Sequence, residues 1–373
     1  MTILTVNTGS SSVRVALFDE LDPPRRIEQR HIERPTKADN DDIRGMLREV
    51  VADRAVRCVV HRVVHGGASL TEPCIIDERI EAEIDRLSAL APLHNPRALA
   101  WLRASRQVVG AQAVQIAVFD TGFFAGMPQV ARRYAIPREL ADKYRIRRYG
   151  FHGLAHQAMW RRWQALRKTE DADRLISLQL GSGCSIAAIA AGEPKDTSMG
   201  FTPVEGLMMA TRSGDIDAGL VAYLQQHERL SPKQMEDMLN RQSGLLGIAA
   251  ESDMQRLLSR NDQEARLAVD MYCYRARKYI GAYLASLGGA DAIVFGGGVG
   301  EHAAVIRQRI LADMQWAGIR LDEEANSAAF RSVERGTDAR ISRSDSDVDV
   351  WVLNVDEQLE LAYAARATPR HPG

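Results

Sequence analysis

Two stretches of the chain repeat one pattern of apolar and polar positions. Residues 3–20, "ILTVNTGSSSVRVALFDE", set β-forming apolar residues on either side of a Gly/Ser cluster, which predicts strand, turn and strand. Residues 175–193, "LISLQLGSGCSIAAIAAGE", do the same. Superposing Ser12 on Ser185 gives an offset of 173 residues in a chain of 373. An offset near half the length predicts a duplicated domain, each copy presenting a small-residue turn to a shared cleft.

The remaining pattern fills two α/β halves. "AVRCVVHRVVHGG" (55–67) and "AVQIAVFDTGFF" (113–124) read as buried strands running into glycine turns, with helical spacing at 78–90 and 96–107 between them. Helices follow near 217–227, 232–240 and 262–287, then strand, glycine turn and helix over 291–310. A last strand at 349–355 leads into the amphipathic "DEQLELAYAARA" and a loose tail. Alternating strands and helices predict parallel or mixed sheets. Residues 21–54, charged and carrying Pro23, Pro24 and Pro35, are expected outside the core.

Composition narrows the function classes. Hydrophobic residues at 45% and charged residues at 26% describe a globular chain, and a formal net charge of −1 provides no field to gather nucleic acid or an anionic membrane. Any anion is therefore caught locally. Four scattered cysteines without a C-x-x-C pair suit neither a disulfide frame nor a zinc knot. With no signal-peptide pattern and no long apolar run, the expected location is the cytoplasm.

Several motifs carry candidate chemistry. Gly298-Val-Gly300-Glu-His-Ala303 matches the dinucleotide fingerprint, with Asp322 and Glu323 about twenty residues on. Too few strands remain after it for a dehydrogenase half, so the inference that survives is a glycine turn able to approach a nucleotide or phosphate. A P-loop pattern is absent, which leaves the two Gly/Ser hairpins, residues 9–12 and 181–185, as phosphate cradles or as plain turns. In "HRVVHGG", strand alternation puts Arg62 and Val64 on one face, a cationic fork beside a small apolar surface. An edge arginine paired with a structural acid is the plainer reading. His94 lies in the proline-bounded "LAPLHNP", Asp120 stands just past a strand, and Arg212 lies in a polar turn where Asp215 or Asp217 is expected to cap the next helix. His152 and His156 lack the Glu of H-E-x-x-H, which removes a zinc protease and leaves a glycine-flanked histidine that either donates to an anion or is buried on a carbonyl.

Together these stretches resemble the acetate kinase family of the actin, hexokinase and heat-shock ATPase superfamily. The likeness runs from Asn7 in "VNTGSSS" through "HRVVHGG", "LAPLHNP", "FDTGFF", "YGFHGLAH", "TSMGFTPVEGLMMATRSGDID", "SGLLGI" and "GVGEH" to Glu357. It implies duplicated ribonuclease-H-like α/β domains flanking an active-site cleft, the first formed by residues 1–149 with the C-terminal helix 356–373 and the second, nucleotide-binding, by 150–355. It also implies reversible transfer of the ATP γ-phosphoryl to acetate with Mg²⁺, or Mn²⁺ in its place, in a homodimer. By resemblance, Arg62 and Arg212 clamp acetate and the migrating phosphoryl, His152 stabilises its oxygens, His94 lines the same site, and Asp120 orients phosphates or carboxylate. Val64, Leu93, Phe151 and Pro203 match the pocket for the acetate methyl. Asn7 and Glu357 match the metal-holding residues.

The nucleotide would lie against Ser10, Ser12 and Arg14, against Gln179-Leu180-Gly181-Ser182-Gly183, against Asp253-Met254-Gln255 and against Gly298-Val299-Gly300-Glu301-His302. Departures from the family cluster here: Ser182 and His302 stand where Asn is usual, Gln255 where Arg is usual, and Arg14 for Lys. Three other readings therefore stay open: a kinase for propionate or butyrate, a kinase using pyrophosphate, and a nucleotide-dependent interaction protein on the same fold.

Overall fold

The computed structural model describes residues 2–9, 12–33, 40–92, 94–167, 169 and 171–368. The chain forms two compact units. One takes the residues up to Ala125, Phe151–Ala158 and the segment from Asp356; the other takes Gly126–Gly150 and Met159–Val355.

In the first unit, β1 (Thr2–Thr8), β2 (Ser12–Phe18), β3 (Arg26–Glu33), β4 (Val56–Val63), β5 (Cys74–Ile75) and β6 (Val114–Phe119) form one sheet in the order β3-β2-β1-β4-β6-β5. Strands β1, β4 and β6 run parallel, while β2, β3 and β5 are antiparallel to their neighbours. The second unit repeats this plan. Its β7 (Arg174–Leu180), β8 (Cys184–Ala190), β9 (Glu193–Thr197), β10 (Ala292–Gly296), β11 (Ala339–Arg340) and β12 (Asp349–Val352) are ordered β9-β8-β7-β10-β12-β11. Each strand matches the one six places earlier in order and in direction, down to the short antiparallel edge strand. The duplication expected from the two hairpins is thus present in the topology.

The central strands are apolar at successive positions because both sheet faces are covered. In the first unit, Leu4, Val6 and Val15 pack on one face with Leu47 and Trp101 of helices Asn40–Val51 and Asn95–Val109. The intervening Ile3 and Val60 pack on the other with Leu154 and with Leu361 of helix Glu357–Ala367. Burying one such aliphatic side chain contributes roughly 1.5–3 kcal/mol.

Residues 21–54 depart from expectation. Strand β3 pairs along β2, and Ile43, Leu47, Val50 and Val51 are buried in the core. Those four positions have helical spacing, which the charged outer face of the same helix conceals. Pro35 lies outside the described residues.

Candidate active site

In the first unit, candidate side chains gather at the C-terminal ends of the parallel strands, where open α/β sheets commonly bind ligands. Arg62 comes from β4, Asn7 from β1, Asp120 directly follows β6, and Glu357 opens the last helix. Arg62 Nε donates to both Asp120 oxygens at 3.1 and 3.0 Å, and Nη2 reaches Oδ2 at 2.5 Å. Its Nη1 donates to Asn7 Oδ1 at 2.9 Å and lies 3.6 Å from Glu357 Oε2, which accepts from Asn7 Nδ2 at 2.6 Å. Burial opposes the Arg62 charge, but Asp120 and Glu357 more than offset it and hold the proton more tightly than usual. Burial also pushes the Asp120 carboxyl up, partly countered by Arg62. The guanidinium is thereby fixed from three sides, which pre-orients its remaining face.

His152 is brought beside this cluster by the backbone of its neighbour Gly153. Gly153 N–H donates to the Asp120 carbonyl at 3.1 Å, and a Cβ on Gly153 would lie 2.1 Å from that oxygen. Glycine is required here by this close approach. His152 itself takes a left-handed backbone with φ 57°, a conformation costly for a side chain with Cβ and typical of sites where placement matters. His156, one helical turn on, is fully buried; burial first and the neighbouring His152 second lower its pKa to about 3. It is therefore neutral across the physiological range. Val64 and Phe151 are buried, the Phe151 ring edge-on to His65 at 5.6 Å. His94 occupies the N-cap position of helix Asn95–Val109. Leu93 and Ser10 lie outside the described residues. Ser12 O accepts from Gly9 N–H at 2.9 Å to close the first turn, and Arg14 is exposed on β2 opposite Asn7.

Sequence reasoning did not single out Asn95. It is fully buried, and its side chain accepts from His65 N–H at 3.2 Å and donates to His65 O at 3.1 Å, fixing the backbone that follows Arg62. The only local signal was its place at a helix start between His94 and a proline.

In the second unit, the turn after β7 closes through Gly181 N–H to Gly183 O at 3.1 Å, and Ser182 O accepts from Ala210 N–H at 3.2 Å. The Cys184 thiol, 3.3 Å from Gly181 O and 3.2 Å from the Tyr272 hydroxyl, backs this turn. Helix Gly297–His302 starts directly after β10, with Gly297 against Leu180 and Gln179, so residues 179–183 and 298–302 are brought together. Glu301 Oε1 accepts from Gly297 N–H at 3.0 Å. Asp253 caps helix Met254–Ser259, with Met254 buried and Gln255 exposed. Asp322, the acid of the dinucleotide reading, caps helix Glu323–Glu334.

Arg212 differs from Arg62. Its Nη1 meets Pro203 O at 3.3 Å and Met209 Sδ at 3.8 Å, and no carboxylate pairs with it among the described residues. Burial lowers its pKa from the usual value, opposed by Cys184. Asp217 caps the following helix, accepting from Gly219 N–H at 2.6 Å, whereas Asp215 takes Gly206 N–H at 2.8 Å and the Tyr279 hydroxyl at 2.7 Å.

Two six-stranded mixed sheets of one strand order, with an arginine–carboxylate cluster in one unit and a glycine-lined turn in the other, define the class of duplicated α/β folds. Comparison with known proteins is more specific. The acetokinase family profile matches residues 28–363, and the chain belongs to that family, phosphotransferases with a carboxylate acceptor. It is 38% identical over 405 residues to an acetate kinase of Solibacter usitatus, covering 97% of each chain. Among solved structures, acetate kinase of Porphyromonas gingivalis matches with a TM-score of 0.87 and 33% identity, over 98% of this chain and 99% of that one. A propionate kinase of Francisella tularensis matches with a TM-score of 0.87 and 33% identity, over 97% and 98%. Among the described residues no helix is long and apolar enough to cross a membrane.

Proposed function

We propose that the chain catalyses reversible, Mg²⁺-dependent transfer of the γ-phosphoryl group of ATP to acetate, giving acetyl phosphate and ADP. The observation that carries this reading is Arg212, a half-buried guanidinium held by neutral acceptors and so left with its charge for an anion. An oxygen of acetate attacks the γ-phosphorus in line. The new O–P bond forms as the bond to the bridging oxygen breaks, and that oxygen departs on ADP with its electron pair.

In this reading Arg212 and Arg62 hold the carboxylate and the equatorial oxygens of the phosphoryl group, where negative charge must be offset. His152 donates to the same oxygens, and His94 lines the site. Asp120 orients the attacking carboxylate through the guanidinium it grips. Val64, Leu93, Phe151 and Pro203 enclose the methyl group. ATP lies along residues 179–183, 253–255 and 298–302, with Ser10, Ser12 and Arg14 at its phosphates. Asn7 and Glu357 would hold Mg²⁺, or Mn²⁺; one amide and one carboxylate oxygen make a sparse, hard donor set, which suits an ion that keeps several waters. When bound, the ion neutralises phosphate charge.

A second reading, propionate as the acceptor, is favoured by the equal likeness to a propionate kinase. One extra methylene changes binding by only about 1–3 kcal/mol. Trapping the acyl phosphate as its hydroxamate, with acetate, propionate and butyrate against ATP, GTP and pyrophosphate, decides acid and donor together. The highest kcat/KM is expected for acetate with ATP; a higher value for another pair replaces this reading.

Four free thiols suit a reducing compartment, and we place the reaction in the cytoplasm. A homodimer is supported by apolar surface: helix Ala218–His227 buries none of its residues, and Leu267, Met271 and Tyr274 are exposed at helical spacing on Gln263–Leu287.

A further inference from the structure

Arg212 is oriented by the Pro203 carbonyl, so its position depends on what holds the loop 198–206. One carboxylate ties that loop down. Glu205 accepts from Arg148 Nη2 at 2.5 Å through one oxygen and from the Tyr134 hydroxyl through the other. The same hydroxyl accepts from Phe201 N–H at 2.8 Å, and Arg148 Nη1 donates to Ser198 O at 3.1 Å. Tyr149 N–H reaches Gly200 O at 3.0 Å. The packing leaves no slack: a Cβ on Gly200 would lie 1.7 Å from Glu205 Oε2 and 2.1 Å from the Tyr134 oxygen. Burial, then Glu205, raises the Tyr134 pKa, so the phenol stays protonated and donates. The Glu205 charge is met by Arg148 and leaves that of Arg212 uncancelled.

We propose that Glu205, Tyr134 and Arg148 form a positioning cluster that fixes Pro203 and Arg212, and with them the length of acid accepted. This rests on the reading of Arg212 and Pro203 as the acyl side. Neutral acceptors orient a cation without neutralising it, but a carbonyl on a loose loop orients nothing. The cluster supplies the rigidity that an acid beside Arg212 would supply only by cancelling its charge.

Tyr134→Phe removes one oxygen and two hydrogen bonds while keeping the ring. It is expected to raise KM for acetate about tenfold, the scale of one or two lost aligning hydrogen bonds. KM for ATP should stay within about twofold, and the ratio of kcat/KM for propionate to that for acetate should rise. Glu205→Ala should behave alike, and Glu205→Gln, which keeps the acceptor contact to Arg148 through its amide oxygen and turns its NH2 toward the Tyr134 oxygen, should recover part of the loss. Amide hydrogen exchange on the same proteins supplies a readout independent of turnover: peptides covering 198–206 and 209–212 should exchange faster in Tyr134→Phe. Unchanged KM for acetate and unchanged exchange in both Tyr134→Phe and Glu205→Ala overturn the proposal, as does an equal rise in KM for ATP. If the wild-type chain forms no acyl phosphate, the functional reading fails, and the exchange arm alone then decides whether the cluster holds the loop.

Discussion

Adding one methyl group at Gly153 tests how tightly the first unit's cluster is built. In Gly153→Ala the new carbon would stand 2.1 Å from the Asp120 carbonyl oxygen, 3.0 Å from its carbon and 2.9 Å from Phe123 Cβ. Two of those atoms are backbone, so no side chain can swing aside. The two backbones must part by about 1 Å, beyond reach of the 3.1 Å hydrogen bond from Gly153 N–H. Overpacking of this kind costs about 1–3 kcal/mol, and the lost hydrogen bond about 1 kcal/mol more. A displacement of that size at the strand carrying Asp120 and the turn carrying His152 is expected to lower kcat about a hundredfold. Gly45→Ala is the control: nothing lies within 4 Å of its Cβ, and in the middle of helix Asn40–Val51 alanine should stabilise slightly with turnover unchanged. Hydroxamate formation and thermal melting of both variants complete the test. Wild-type kcat and melting temperature in Gly153→Ala would refute the claim that this contact positions the cluster.

Other consequences follow from burial and charge. Arg62→Ala strands Asp120, 1% exposed, without its partner and should cost about 3–5 kcal/mol, while Arg62→Ala with Asp120→Asn should recover part of that in a chemical-denaturation cycle; additive losses would contradict the pairing. His156 and His61 are held neutral, chiefly by burial, with pKa values of about 3 and about 4 against an unfolded value near 6.5. Below pH 6.5 only the unfolded chain takes up these protons, so stability present above that pH is lost as pH falls, about 4 kcal/mol for the pair by pH 5. His156→Gln should flatten the slope, and an unaltered slope would contradict the assignment. Leu267→Glu with Tyr274→Glu should yield a monomer by sedimentation, whereas a retained dimer would place the interface elsewhere.

The hairpins at residues 7–14 and 179–185 were legible because turn chemistry and strand alternation are local, and the sheet order then follows from duplication. Arg62 and Asp120 were visible as charged residues at strand ends. That they grip each other was not, since they are 58 residues apart and nothing in either neighbourhood records the other. Ile43 and Leu47 were hidden by the charges of their own helix's outer face. Glu205 and Tyr134 carried no local pattern at all; a lone acid in a loop acquires meaning only from what folds against it. His152 lies between these cases. Its flanking glycine could be read from sequence, but the reason, an approach of the Asp120 carbonyl to within contact of Gly153, required the fold.

Central to the proposed reaction is an uncancelled guanidinium at position 212 serving an acid substrate. Its most direct test is kcat/KM for acetate, read as trapped hydroxamate, in Arg212→Ala against wild type. A fall of about a hundredfold or more is predicted, with the fold intact by circular dichroism. Wild-type turnover in that variant would contradict the account at its centre.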